Sequence, residues 1–471
     1  MSEEPRAWWL PGLASRTARN AGDAWTGDSP YAGPDGPALR APNLTGEQAG
    51  EVARTVRAAA LRARNERSLG QIVQSVSRAA LRLADPDDPW GREAHRLLGS
   101  WLGWTSTVLR ESLDGMARDW TEESLQRIVA DELPDPELIS GFVADIRWSD
   151  RRRIATGPPL VLQLHAGNVP GVPVGSAMLS LIARSGVLAK SGSDEPWLLP
   201  LFARSLAEVD SLLGDCLAVT WWPGESSPPC LRQWVKVSRK VIIYGGDAAV
   251  AAIRDRVPAD TELIVYGPRT GIAVFLPDAP LEAAGLLAHD ALAYEQRGCI
   301  SPRLVYIVGS KPLEVARVIA RELNRESQRL GRPPMTEGEA VALRRARAEW
   351  EFTGIANGSA LALGPEDLSW TVLAREAAGI EAQALPRTLW VYGVQDLDAL
   401  RAVLLPMAGR IQGLGYAGRQ GERQLAELTM ELGASRLCPL GRMAWPPPDW
   451  RQENRYRLMP HLDWTEWEYP G

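Results

Sequence analysis

The sequence is poor in the residues that hold structural metal ions. Its four cysteines show no CxxC spacing, and only four histidines are present to complete a site. We therefore predict that the protein holds no metal. Unpaired cysteines are also more typical of a reducing compartment than of a secreted protein. The four are Cys216, Cys230, Cys299 and Cys438.

Long apolar runs and an excess of positive charge are also missing. No uninterrupted apolar stretch approaches the roughly eighteen residues of a transmembrane helix. The N-terminus, Met-Ser-Glu-Glu, is acidic where a secretory signal would be basic and then apolar. We expect a cytoplasmic protein without a membrane span. The net charge of -6 argues against nucleic-acid binding, which needs a basic surface to neutralise phosphates.

What is present is the composition of a globular protein long enough for two or three domains. The chain has 471 residues, of which 45% are apolar and 23% are charged. Residues 1–46 are rich in Pro, Gly and Trp without periodicity, which predicts an irregular arm. Apolar residues at helical spacing, such as Val52, Val56 and Val76, predict a helical N-terminal region over residues 47–150.

From residue 160 onward, short apolar runs alternate with helical stretches. This alternation predicts an α/β fold with parallel sheets, in which ligands bind at the carboxyl ends of the strands. We divide this part of the chain into residues 151–270, residues 271–440 and a Pro-rich tail, 441–471. The predicted buried strands are 160–164, 186–189, 217–221, 240–244, 263–266, 272–276, 304–308 and 388–392.

The segment Gln296-Arg-Gly-Cys299 lies between a helical pattern and the strand at 304–308. We expect Gly298 to halt the helix and the Ser-Pro that follows Ile300 to direct the chain into the strand. Cys299 would then project from a turn, and the preceding Arg297 would favour its reactive thiolate. The alternative is that Cys299 is a small buried apolar residue, as unpaired cysteines often are.

Three motifs in consistent order carry a family resemblance: Glu295-Gln-Arg-Gly-Cys-Ile-Ser-Pro302, Gly167-Asn-Val-Pro170, and Cys438-Pro-Leu-Gly-Arg-Met-Ala-Trp-Pro-Pro-Pro-Asp-Trp450. Together they resemble the acyl-CoA reductases of the bacterial luminescence (fatty acid reductase) type, a branch of the aldehyde dehydrogenase superfamily. The resemblance implies an aldehyde-dehydrogenase-like fold. In that fold, residues 151–270 would form a Rossmann-type NAD(P)-binding domain and residues 271–440 the catalytic domain.

The resemblance also implies two catalytic residues. Cys299 would be the nucleophile that takes up the acyl group, and Asn168 would donate its side-chain N–H to the oxyanion together with the Cys299 backbone N–H. Taken without the family, Gly167-Asn168 could equally be an ordinary turn. His289 and Glu295 precede the nucleophile, but their positions do not ensure contact with it, so we take both as structural.

For the cofactor, the resemblance points to the end of one strand and the start of one helix. Lys190 matches the lysine that holds the adenosine ribose in aldehyde dehydrogenases, whereas Ser193 replaces the usual glutamate. Loss of that carboxylate leaves room for a 2′-phosphate, so we predict NADPH, with NADH as the alternative because Asp194 and Glu195 lie close by. Lys190 could also be a solvated strand end. Gly245 and Gly246 would admit the cofactor pyrophosphate, although a plain turn explains them as well.

The segment Tyr266-Gly-Pro-Arg-Thr-Gly271 lacks the glutamate with which hydrolytic aldehyde dehydrogenases activate water. By resemblance the chain is therefore expected to reduce an acyl thioester to an aldehyde through an acyl group on Cys299. The alternatives are an aldehyde dehydrogenase that works in the oxidative direction and a non-catalytic scaffold subunit that keeps the fold. The expected partners are acyl-CoA or an acyl carrier protein, an acyl-transferring synthetase subunit, and further copies of the chain in a homo-oligomer.

Overall fold

The computed structural model describes residues 6–13, 24–30, 37–145, 150–224, 226–309, 311–332 and 334–469. Within the N-terminal arm, β1 (Trp25–Gly27) pairs antiparallel with β2 (Leu39–Ala41), and the backbone of Trp9 bridges to Val219. The arm is therefore partly ordered against the body of the protein. The remainder of the predicted arm, 1–5, 14–23 and 31–36, lies outside the described residues.

Five helices follow the arm, so the predicted helical character of this region is confirmed. Two of them begin with a capping box, in which Thr45 pairs with Gln48 and Ser68 with Gln71, satisfying backbone N–H groups at each helix start. The first of these two helices packs against the sheet that follows, whereas the second packs mainly against other helices. The helices are α1 (Gly46–Glu66), α2 (Leu69–Ala84), α3 (Pro89–Leu102), α4 (Ser106–Trp120) and α5 (Glu122–Glu132).

A five-stranded parallel sheet comes next, with the strand order β7-β6-β5-β8-β9. The order reverses between β5 and β8, and a crevice forms at the carboxyl ends of two such strands. The strands are β5 (Leu160–Leu164), β6 (Gly186–Lys190), β7 (Leu217–Thr220), β8 (Lys240–Tyr244) and β9 (Glu262–Tyr266). The helices between them are α6 (Val172–Ile182), α7 (Leu198–Val209), α8 (Ser211–Asp215), α9 (Pro229–Val237) and α10 (Asp247–Arg254).

A seven-stranded sheet has the order β12-β13-β14-β11-β10-β15-β16 and is parallel except for β12. The α/β prediction is confirmed, and all eight predicted strands are present. The strands are β10 (Thr270–Phe275), β11 (Pro302–Val308), β12 (Ala360–Leu363), β13 (Thr371–Arg375), β14 (Thr388–Val394), β15 (Ile411–Ala417) and β16 (Leu437–Pro439). The helices are α11 (Ala283–Leu292), α12 (Pro312–Leu330), α13 (Glu337–Asn357), α14 (Leu397–Leu404) and α15 (Glu422–Glu431).

The C-terminal tail forms more structure than its proline content suggests. Its last strand, β17 (Asp463–Glu468), pairs antiparallel with β4 (Arg151–Thr156), which also pairs with β3 (Val143–Ala144). Strand β4 thus joins the tail rather than the five-stranded sheet. Among the helices in the described part of the chain, none has both the length and the apolar character needed to cross a membrane.

Lys240, the first residue of β8, fixes the tail to the five-stranded sheet. Its side chain is only 5% exposed, and its ammonium donates to the carbonyls of Pro460 and Leu462 at 3.2 and 2.9 Å and to the Glu262 carboxylate at 2.8 Å. Two backbone carbonyls therefore depend on one buried cation. If the ammonium were removed, these carbonyls would lose their hydrogen-bond donor, and their burial would then cost free energy.

We expect Lys240→Met to lower the free energy of unfolding by about 2–4 kcal/mol, because it leaves two buried carbonyls without a donor. Urea unfolding followed by circular dichroism measures this change. The matched control is Lys311→Met, whose ion pair with Glu314 is exposed and should contribute less than about 1 kcal/mol. Equal stability of the two variants would contradict the anchoring role of Lys240.

Candidate active site

A cavity of about 570 Å³ opens at the carboxyl ends of β5 and β8, where the strand order reverses. Asn168 follows β5, Gly245 and Gly246 follow β8, and all three line the cavity together with Cys299. Residues from the tail, among them Trp445 and Glu453, close the opposite side. The structure therefore brings four of the six predicted site residues to one place.

The turn before Cys299 differs from the expected one. Helix α11 ends at Leu292, and the chain then passes through three consecutive non-glycine residues in the left-handed region, Tyr294, Glu295 and Gln296, with φ of 53°, 54° and 59°. Gly298 does not make the turn. Left-handed backbone costs roughly 1–2 kcal/mol for each non-glycine residue, so the surrounding structure has to hold this turn in place.

Two buried side chains of the turn provide that support. The Glu295 carboxylate accepts two hydrogen bonds from Arg387, at 2.7 and 2.6 Å, and the two side chains are 4% and 0% exposed. The Gln296 amide donates to the carbonyls of Pro302 and Thr388 and accepts the Thr388 backbone N–H, each at 2.8 Å. The expectation that Glu295 is structural thus agrees with its contacts.

Cys299 is partly exposed, whereas the other three cysteines are buried. Burial of the sulfur raises the pKa of the Cys299 thiol to about 12, and the nearby Glu453 carboxylate adds to this. The backbone N–H groups of Cys299 and Ile300 and the Arg269 guanidinium act in the opposite direction. The resting thiol is therefore protonated at neutral pH.

For Arg297, expected to favour the thiolate, the structure shows other contacts. Its guanidinium lies over the Trp104 ring, with 5.8 Å from Cζ to the ring centre, and it acts on the Asp194 carboxylate. The cation that favours the thiolate of Cys299 is Arg269, which follows β9. Both arginines line the cavity together with Cys299.

Asn168 is joined directly to the cysteine turn. Its side-chain amide Nδ2 donates to the backbone carbonyl of Arg297 at 2.9 Å, although the two residues are 129 positions apart. Gly167 has a φ of 83°, and a Cβ there would come within 2.8 Å of the Glu195 nitrogen, so only glycine fits before Asn168. The amide is thus held beside the cavity within reach of the segment that bears the thiol.

Lys190 and Ser193 lie outside the lining of this cavity. Lys190 is buried, which lowers its pKa to about 8, and its ammonium donates to the Ser191 carbonyl at 3.0 Å; Ser193 is exposed. The neighbouring Glu195 cannot easily turn toward a ribose. One of its carboxylate oxygens accepts the backbone N–H groups of Trp197 and Leu198 and caps α7.

The glycine pair offers space for an anionic group. No atom lies within 4 Å of the position that a Gly246 Cβ would occupy, and Gly246 directly precedes α10. The first amides of that helix are without intrahelical partners, as at every helix start, and suit a phosphate. Gly246 is the N-cap of this helix, and Asp247 is its first residue. These residues fit a dinucleotide pyrophosphate.

Sequence reasoning missed the contribution of the tail and of the helical region to the cavity. The Trp445 ring packs directly over Gly115 of α4, where a Cβ would clash at 1.6 Å, and lies 4.9 Å from the Tyr294 ring. Apolar side chains of α4 and α5 continue this wall: Met116, Trp120, Leu125 and Ile128. The conspicuous Ala-Trp-Pro-Pro-Pro string was the only signal for it.

A carboxylate also enters the cavity from the tail. Glu453 pairs with Arg269 at 3.4 Å, and its side chain is 7% exposed. The segment 266–271 supplies no carboxylate of its own, and Glu453 comes from the tail instead. Among the residues that the structure describes, no three His, Cys, Asp or Glu side chains gather closely enough to hold a metal ion.

Comparison with known proteins agrees with this geometry. The sequence model of the family described as acyl-CoA reductase (LuxC) matches residues 64–450. The chain belongs to this family. It is 23% identical over 244 residues to the long-chain acyl-protein thioester reductase of Aliivibrio fischeri, covering 51% of this chain and 50% of that protein. With the enzyme of the same name from Vibrio harveyi, it shares 23% identity over 240 residues, covering 50% and 49%.

The chain thus spans about half the length of the curated relatives that it matches. Solved structures extend the likeness of fold to nearly the whole chain. Aldehyde dehydrogenase C of Pseudomonas syringae, a mutant with NAD+ and octanal, has a TM-score of 0.74 at 12% identity, covering 99% of this chain and 97% of that one. An NADP-dependent glyceraldehyde-3-phosphate dehydrogenase of Bacillus halodurans has a TM-score of 0.71 at 13% identity, covering 95% and 96%. The aldehyde-dehydrogenase-like fold is confirmed.

We expect Arg387→Met to lower the free energy of unfolding by about 3–5 kcal/mol, because it leaves the Glu295 carboxylate buried without its cation. Chemical unfolding measures the loss. Arg401→Met is the matched control, since its pair with Glu431 is about half exposed and should matter little. A loss no larger than that of the control would show that the left-handed turn does not need this pair.

Proposed function

We propose that the protein reduces an acyl thioester to an aldehyde, with the acyl group carried on Cys299 and NADPH as the reductant. The observation that carries this proposal is the hydrogen bond from Asn168 to the Arg297 carbonyl, which joins an amide donor to the segment of the nucleophile. Membership of the acyl-CoA reductase family supports the same reaction.

In the acylation step, the Cys299 sulfur attacks the thioester carbonyl and the thiol of the donor leaves. The oxyanion accepts hydrogen bonds from the Asn168 amide and the Cys299 backbone N–H, and the same donors serve any later tetrahedral oxyanion on that carbon. When bound, a reduced nicotinamide supplies hydride to the acyl carbon. Gly245 and Gly246 would hold its pyrophosphate, and residues 151–270 and 271–440 would be the cofactor-binding and catalytic domains.

The apolar wall of α4 and α5 supports a hydrocarbon chain as the acyl group. Met116, Trp120, Leu125 and Ile128 would exclude water from such a chain and bury its surface, at about 25 cal/mol for each Å² removed from water. Several related proteins are named long-chain acyl-protein thioester reductases. We propose acyl-CoA or an acyl carrier protein as donor, a synthetase subunit as partner, and a cytoplasmic homo-oligomer.

Two measurements separate this function from its alternatives. Mass spectrometry after exposure to a panel of acyl thioesters should find the acyl group on Cys299 and none on Cys299→Ser. Incubation of an aldehyde with NADP⁺, with and without CoA, tests the oxidative alternative, which would produce acid or acyl-CoA at a comparable rate. A scaffold subunit would take up no acyl group, and acylation at another residue would remove the assignment of Cys299.

We expect Asn168→Ala to slow acylation of Cys299 by about 10²–10³-fold, which is typical of the loss of one oxyanion donor. Single-turnover acylation measured by rapid quench checks this value. Asn324→Ala, at an asparagine that accepts a hydrogen bond from Trp370 outside the cavity lining, is the control. An unchanged rate in Asn168→Ala would exclude the amide from the oxyanion site.

For the cofactor, we expect Ser193→Glu to lower kcat/KM for NADPH by at least about tenfold while that for NADH changes little. A carboxylate near a 2′-phosphate would cost roughly 1–4 kcal/mol through charge repulsion. Ser211→Glu, at an exposed serine beyond α7, is the control. Equal effects on the two cofactors would mean that Ser193 does not face the ribose.

A further inference from the structure

Glu453 is held by its backbone and by its partners so that its carboxylate lines the cavity of Cys299. Glu453 and Asn454 have φ of 54° and 61°, a left-handed conformation that turns this part of the tail sharply. The Glu453 side chain is 7% exposed, pairs with the Arg269 Nε at 3.4 Å and accepts the Gly267 backbone N–H. These partners bind the carboxylate to the carboxyl end of β9.

The surroundings of this carboxylate act in both directions, and their net effect is to raise the pKa of Glu453 above its ordinary value. Burial raises the pKa of Glu453, whereas Arg269, Arg455 and the Gly267 N–H lower it. Glu453 is also the first of the charged groups that raise the pKa of Cys299, so the two groups interact across the cavity. Tyr244 and Tyr266, which interact with Glu453, and Arg457 are among the other titratable groups of the cavity lining.

A protonated thiol must lose its proton to become a nucleophile, and Glu453 places a carboxylate in the cavity that Cys299 lines. We propose that Glu453 accepts the proton of Cys299 during acylation, a step that rests on the proposed function. The S–H bond breaks as the Cys299 sulfur bonds to the acyl carbon, and the proton passes to the Glu453 carboxylate. When the carbon–sulfur bond to the donor breaks, the same proton passes to the leaving thiolate. The products are acylated Cys299 and free donor thiol, and Glu453 is again ionised.

A purely electrostatic role for Glu453 makes the opposite prediction. If the carboxylate only repelled the thiolate, its neutralisation would lower the thiol pKa and speed attack at pH 7. If it accepts the proton, its neutralisation removes the base and slows attack. Arg269 would be a positioning residue in this scheme, because it holds the carboxylate and does not touch the acyl group.

The test is single-turnover acylation by hexadecanoyl-CoA, kept below its micelle concentration, between pH 5 and 10. In the wild type, the rate should fall as pH falls through the titration of Glu453, because the protonated carboxyl cannot accept a proton. Glu453→Gln should lose this fall in rate at acid pH and should be about 10²-fold slower than the wild type at pH 7. Its rate should rise steadily toward alkaline pH as the thiol ionises. Glu453→Asp should keep the fall in rate at acid pH, with a lower acylation rate than the wild type.

The matched control is Glu427→Gln, which removes a carboxylate from an exposed helix pair with Arg423. The proposal is overturned if Glu453→Gln is acylated at pH 7 at a rate within threefold of the wild type, or faster. It is also overturned if this variant keeps the wild-type fall in rate at acid pH. In these cases acylation of Cys299 in the wild type leaves the proposed function standing. Acylation of the wild type at another residue would overturn both.

Discussion

The left-handed turn Tyr294–Gln296 is the constraint on which the site depends. Three strained residues connect α11 to the segment of Cys299, and they persist because the Glu295–Arg387 pair and the Gln296 hydrogen bonds fix them to β14 and to the start of β11. Arg387 also donates to the Ser327 hydroxyl and the Gly331 carbonyl at the end of α12. Cys299 is therefore positioned by the seven-stranded sheet and its helices, whereas Asn168 is positioned by the five-stranded sheet.

The tail completes the cavity because buried charges hold its backbone at three points. Asp290 of α11 accepts the N–H groups of Gly441, Met443 and Ala444, and Glu132 of α5 accepts those of Arg457, Leu458 and Met459. Lys240 of β8 donates to two carbonyls further on. Between these anchors the tail lines the cavity with Trp445, which packs on Gly115 of α4, and with Glu453, which pairs with Arg269.

The features that could be predicted from sequence are those with local periodicity or a fixed order of motifs. Buried strands in parallel sheets appear in the sequence as short apolar runs, so all eight predicted strands are present in the structure. The strand order was not predicted, and it is the reversal between β5 and β8 that places Asn168 and the glycine pair on one cavity. The turn could not be predicted, because no glycine or asparagine occupies its left-handed positions; its stability comes from Arg387, about ninety residues later. The position of Glu453 could not be predicted either, because the tail that brings it to Arg269 has no helical or strand periodicity.

In this site, the groups that set the protonation state of the resting thiol differ from the groups proposed to stabilise charge during attack. Thiolates are made reactive at rest by neighbouring cations, but they are then exposed to oxidation. Here burial and Glu453 keep the Cys299 thiol protonated, and Arg269, the cation that would favour the thiolate, is paired with that same carboxylate. On the proposed function, negative charge develops where the donors of Asn168 and Cys299 can receive it, on the carbonyl oxygen. On the same proposal, the sulfur would become nucleophilic when an acyl thioester occupies the cavity, because the proposed oxyanion donors stabilise the product of attack and leave the resting sulfur unchanged.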